Sequence, residues 1–147
     1  MTVIAWDGKT LAADKRGDCC GFALTLTKVC RFSNGHLGAG CGNSHDIREL
    51  LAWYEAGAKP ESFPARQKGE RDGTSALVVI QGDGTPLHFD GGPYPIRIEN
   101  KFFAAGSGRD YAIAAMHYGK TAHEAVALAS LYDLGCGNGI DTLELEL

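Results

Sequence analysis

The order of elements along this chain predicts an α+β fold in four layers, an αββα sandwich of two antiparallel sheets with helices on the outside. Three observations lead there. Candidate strands are joined by tight turns at Asp7-Gly8, Asn34-Gly35 and Gly82-Asp83-Gly84, which link antiparallel neighbours. Helical patterns come in blocks, giving strands, one helix, strands, two helices and a last strand. There is no regular strand–helix alternation from which a doubly wound parallel sheet could be built. At 147 residues, positions 1–147 are read as a single domain.

Each element follows from local pattern. Val3 to Trp6 and Thr10 to Ala13 flank Asp7-Gly8-Lys9 and read as an N-terminal hairpin, because Asp and Gly tolerate positive φ. Phe22 to Thr27, Lys28 to Phe32 and His36 to Cys41 continue as a meander. Asn43 or Ser44 can cap a helix whose Ile47, Leu50, Leu51 and Tyr54 recur at helical spacing until Gly57 stops it. Lys59 to Gly73, with two prolines and mixed charge, reads as an exposed loop. Four strands are expected next, at Ala76 to Ile80, Pro86 to Phe89, Tyr94 to Ile98 and Phe102 to Ala105. Asp110 to Tyr118 and Thr121 to Tyr132 form two helices broken at Gly119-Lys120, and Ile140 to Leu147 closes the chain as a strand.

Composition excludes several classes of function. Hydrophobic residues make up 44% and charged residues 22%, so an ordinary core suffices without a disulfide or metal scaffold. Fourteen Lys and Arg against 18 Asp and Glu give a net charge of −4, which offers no basic field for nucleic acid. Runs such as Ala76 to Ile80 are far shorter than the ~20 residues of a membrane span. The N-terminus lacks a charged-then-apolar signal, so a soluble cytoplasmic protein is expected. Cys19, Cys20, Cys30, Cys41 and Cys136 include no C-x-x-C pair, and the five histidines show no H-E-x-x-H spacing. Reduced thiols, no metal and no cofactor are expected.

Glycine is the outlier, at 20 of 147 residues, about twice its usual ~7% share. Two glycine-rich segments look like nucleotide loops. Asp133-Leu134-Gly135-Cys136-Gly137-Asn138-Gly139 is similar to the loop of methyltransferases that bind S-adenosylmethionine, but a helical pattern precedes it and only eight residues follow. Gly38-Ala39-Gly40-Cys41-Gly42-Asn43 lies between a strand and a helix, yet G-x-G-x-x-G would need glycine at Asn43. Both are set aside.

The chemistry starts at the N-terminus. A small second residue allows Met1 to be removed, leaving Thr2 with a free α-amine. A threonine hydroxyl is a weak nucleophile, but an amine of pKa about 7.7–8.0 can accept its proton at physiological pH. Thr2-Val3-Ile4-Ala5 followed by Leu11-Ala12-Ala13-Asp14, then Lys28-Val29-Cys30-Arg31, Ala105-Gly106-Ser107-Gly108 and Asp133-Leu134-Gly135-Cys136-Gly137 occur in one order along the chain. In that order they resemble the N-terminal nucleophile (Ntn) hydrolases of the proteasome β-subunit and HslV family, nearly from end to end.

That resemblance implies the αββα Ntn-hydrolase fold and a threonine peptidase. Thr2 would be the nucleophile, Lys28 would favour its ionised form, Asp14 would orient Lys28, and Ser107 would stand at the active-site serine. Gly40 falls on the glycine whose N–H serves the oxyanion, and its missing Cβ would let substrate approach. Asp133 and Cys136 would support the threonine, with a cysteine where the family has serine. Lys59 to Gly73 is short for the second helix of the family's first pair, so that layer is expected to be shortened. The resemblance further implies a peptide or unfolded-protein substrate, a homo-oligomeric ring enclosing the sites and an ATP-dependent unfoldase as partner. The alternatives are a catalytically inactive structural or assembly module of the same fold, or an Ntn amidase acting on a small amide.

Overall fold

The structure, a computed structural model, describes residues 1–64 and 75–146. The N-terminal sheet has the order β10-β1-β2-β11 and joins Phe103–Gly106 (β10), Val3–Trp6 (β1), Thr10–Asp14 (β2) and Ile140–Glu144 (β11). A second sheet runs β5-β6-β7-β8-β9, through Val29–Arg31, Leu37–Cys41, Ala76–Ile80, Pro86–Phe89 and Ile96–Arg97. Every pairing in both is antiparallel. Arg16–Cys19 (β3) and Phe22–Thr25 (β4) form a separate two-stranded ribbon. Three helices complete the described chain: Ser44–Glu55 (α1), Arg109–His117 (α2) and Ala122–Tyr132 (α3).

Alternation along β1 explains the layers. Ile4 and Trp6 point one way, into a core shared with Leu37, Ala39, Val78 and Ile80 of the facing sheet. Val3 and Ala5 point the other way, onto Ala112, Met116, Ala122, Val126 and Ala129 of α2 and α3. The far face of the second sheet, through Leu77, Val79 and Phe89, packs on Leu50 and Trp53 of α1. The result is the αββα sandwich the sequence predicts. Since β1 faces apolar layers on both sides, all four of its residues are buried. Alanines at 112, 115, 122, 125 and 129 let α2 and α3 lie close to the sheet, whereas α1 fills its layer with aromatic rings, Trp53 against Phe63 and Phe89.

Local signals set most boundaries. Asn43 caps α1, its side chain accepting from the N–H groups of His45 and Asp46 at 2.8 and 3.3 Å. Thr121 caps α3 by accepting from the Glu124 N–H at 3.2 Å. The structure departs from expectation in several places. Arg16–Cys19 is a strand the sequence did not announce. The expected strand from Phe22 to Thr27 stops at Thr25, the one from Tyr94 to Ile98 shrinks to Ile96–Arg97, and the last ends at Glu144. The loop expected from Lys59 opens with a short 3-10 turn, Pro60–Ser62, and its residues 65–73 lie outside the described residues.

Candidate active site

At the end of β2, Asp14 is completely buried, and four donors converge on it. Oδ1 accepts from the Val3 N–H at 3.0 Å and from Lys28 Nζ at 2.9 Å. Oδ2 accepts from the N–H groups of Arg16 and Gly137 at 3.2 and 3.1 Å. A carboxylate removed from water is tolerated when it is compensated in this way. One of those donors is the ammonium on which the rest of the site turns.

Lys28 immediately precedes β5, and its side chain is only 10% exposed. Besides Asp14, Nζ donates to Thr2 Oγ1 and to the Met1 carbonyl, both at 3.2 Å. The three hydrogens of an ammonium therefore match three acceptors. Thr2 is itself buried, at 5% exposure. Its carbonyl oxygen accepts from the Gly108 N–H at 3.2 Å and from Ser107 Oγ at 3.3 Å. Gly106 makes this clamp possible: φ is +89°, and a Cβ there would overlap the Thr2 carbonyl.

The loop after α3 closes the site. Asp133 Oδ1 accepts from the Gly135 N–H at 2.8 Å, and the Cys136 N–H donates to the Asp133 carbonyl at 3.1 Å. Cys136 Sγ lies 3.8 Å from Ser107 Oγ. Burial, reinforced by the charge of Asp14 and that of Asp133, pushes the Cys136 thiol up to about 12, so it is a neutral thiol at physiological pH. Burial by itself would raise the Asp133 carboxyl, but hydrogen bonds from Ser107, the Gly135 N–H and Cys136 hold it below its ordinary value. Gly135 leaves room for the Met1 side chain, which packs against it.

The structure thus gathers Thr2, Asp14, Lys28, Ser107, Asp133 and Cys136 into one linked cluster. Gly40 lies in β6 opposite Leu77, one residue beyond the Val29–Ala39 pair and so beside Lys28 where β5 begins. The space left by its missing Cβ is filled by Ile47 of α1, whose Cγ2 would stand 2.5 Å from a Cβ. That face of Gly40 is closed by α1, while the N–H of a strand residue lies in the plane of the sheet, away from the Cβ direction. Gly42, just beyond β6, has φ +114° and packs on Ser75. Sequence reasoning missed the backbone donors of Val3, Arg16, Gly108 and Gly137, because an N–H group has no residue signature. Only the glycines around Ser107 hinted at the close approach to Thr2.

Among the described residues, no group of His, Cys, Asp and Glu could hold a metal ion. No helix among them is long and apolar enough to cross a membrane.

This architecture is the proteasome-type Ntn-hydrolase fold, and solved structures bear the fold out. Eukaryotic HslV from Trypanosoma brucei is 20% identical, with 100% of both chains covered and a TM-score of 0.74. Thiobacillus denitrificans BPH is 16% identical over 99% of both chains, with a TM-score of 0.67. The same protein in complex with epoxomicin is 17% identical over 100% of both chains, with a TM-score of 0.68. No protein-family model matches the chain, and no curated protein matches it in sequence.

Proposed function

We propose that this chain is an N-terminal threonine peptidase whose nucleophile is Thr2 after removal of Met1. The observation that carries the reading is the position of Lys28 Nζ, 3.2 Å from Thr2 Oγ1 and 2.9 Å from the buried Asp14. A cation held there favours the ionised hydroxyl, and Asp14 fixes its direction. With Met1 in place the Thr2 nitrogen is an amide and cannot act as a base. Once Met1 is gone, it is a free amine on the same residue as the hydroxyl it must deprotonate.

In the reaction, Thr2 Oγ attacks the peptide carbonyl carbon and its proton passes to the α-amine. Collapse of the tetrahedral intermediate breaks the C–N bond, and the departing amine takes that proton. Water then attacks the ester, again losing its proton to the α-amine, and Thr2 Oγ leaves with a proton as the acid product is released. The oxyanion needs a fixed donor, worth about 2.7–4 kcal/mol in comparable sites. Gly40 N–H is the donor that the family resemblance implies, and Gly40 stands beside Lys28 in the β5–β6 register. Ser107 and the Gly108 N–H hold the Thr2 carbonyl, while Asp133 and Cys136 hold Ser107.

Peptides or unfolded protein are the substrate class in this reading, and a homo-oligomeric ring is the working state, with an ATP-dependent unfoldase as feeder. Exposed Tyr118, Leu131 and Leu134 on and around α2 and α3 suit burial against further subunits. The proposal is tested by intact mass and by epoxomicin, the ligand of one structural neighbour. Purified protein should lack Met1, and epoxomicin should block its cleavage of blocked peptidyl-aminocoumarins. Retention of Met1 on all molecules, or turnover indifferent to the inhibitor, contradicts it.

A further inference from the structure

We propose that Lys15 is a positioning residue for the threonine centre, an inference that rests on the peptidase reading above. Lys15 follows Asp14 directly and, among the described residues, makes no hydrogen bond to Thr2 or Lys28. It nevertheless ties together the three segments that supply the site. Its N–H donates to the Gly137 carbonyl at 3.0 Å, and the Gly137 N–H in turn donates to Asp14 Oδ2 at 3.1 Å. Its carbonyl accepts from the Leu26 N–H at 2.7 Å, in the segment that leads into Lys28. Its ammonium pairs with Asp141 Oδ2 at 2.7 Å and reaches Thr27 Oγ1, next to Lys28, at 3.4 Å.

Main chain alone does not explain this arrangement. Asp141 lies in β11 opposite Ala13, so the ion pair crosses the β2–β11 ladder and holds the side chain in one direction. A Cβ added at Gly139, where φ is +109°, would stand 3.3 Å from Lys15 Cδ, so the loop that carries Gly137 folds over the lysine stem. The side chains of Lys15 and Asp141 are 21% and 30% exposed, dry enough for a short, directional pair. Removing the ammonium frees Thr27 and the loop from Gly137 to Gly139, and with them the placement of Lys28 and of one donor to Asp14. Displacements well under an ångström at such a centre reduce turnover without altering substrate binding.

The test uses full-length, Met1-free protein and a blocked peptidyl-aminocoumarin. Lys15→Met, which keeps the stem, should lower kcat about tenfold with KM within about twofold. Asp141→Asn should do the same, and the double variant should be no worse than either single one. Lys15→Arg should recover most of kcat, a rescue that a purely packing role would not give. Independently of activity, hydrogen exchange at the Gly137 and Leu26 amides should quicken about tenfold in Lys15→Met while the Val79 amide in β7 is unchanged. Wild-type kcat in Lys15→Met, a loss confined to KM, additive losses in the double variant, or unchanged exchange at Gly137 each overturns the proposal. Failure of the peptidase reading looks different: wild type and Thr2→Ala are then equally inert, and the exchange measurement alone decides whether Lys15 holds this corner.

Discussion

Two lysine–aspartate pairs stand next to each other at the end of β2, and they differ in almost everything but composition. Asp14–Lys28 spans 2.9 Å with the carboxylate fully buried and the lysine side chain 10% exposed. Lys15–Asp141 spans 2.7 Å with its side chains 21% and 30% exposed. The inner pair shares its ammonium with Thr2 and its carboxylate with three backbone donors. The outer pair faces solvent on one side and clamps chain segments. Desolvation decides the contrast: the buried charge must be compensated at every oxygen, so its partners are fixed in space, and a nucleophile placed on them inherits that order.

The comparison is broken most severely at Lys28. Lys28→Ala leaves the Asp14 carboxylate buried without its cation, and should both abolish turnover and destabilise the fold by about 3–5 kcal/mol in urea unfolding. Lys15→Ala should cost under about 1 kcal/mol, because water can replace the lost partner. Equal stability losses at the two lysines would refute the contrast. Gly106→Ala comes next, since it places a methyl group on the Thr2 carbonyl in a backbone region that disfavours side chains. A loss of about 3 kcal/mol is expected in the same assay.

Cys136→Ser is a smaller change with a distinctive pH signature. The unfolded thiol releases its proton near 9.0, whereas the folded one retains it to about 12. Above 9.0 the unfolded state therefore binds fewer protons, and stability should fall as pH rises toward about 12. Below 9.0 this group contributes no slope. The serine variant should lose that alkaline fall, read as the pH dependence of the urea midpoint. The smallest effect is expected at Glu144, paired with Lys9 at 3.9 Å with both side chains well exposed. Glu144→Gln should leave the unfolding midpoint and turnover unchanged.

Much of this was legible in the residues. Hairpin turns, the Asn43 cap and the grouping of strands and helices are local signals, and they suffice for the sandwich. Thr2, Asp14, Lys28 and Ser107 could be named because side-chain chemistry is written in the residue type. What escaped depends on tertiary context. Arg16–Cys19 has little strand propensity; it is ordered by the Arg16 N–H on Asp14 and by a turn in which Cys20 and Gly21 both take positive φ, at 59° and 86°. Gly137 and Lys15 matter through backbone bonds to distant segments. The packing of Gly40 escaped for the same reason, since the neighbour that fills its Cβ side, Ile47, is seven residues further along and comes into contact only once α1 docks.

The central claim is that Thr2 Oγ1, beside the Lys28 ammonium, is the nucleophile. The most direct measurement is steady-state cleavage of a blocked peptidyl-aminocoumarin by wild type and by Thr2→Ala, both confirmed Met1-free and folded. The account predicts turnover by wild type and only background from the variant. Equal rates from the two proteins would contradict it.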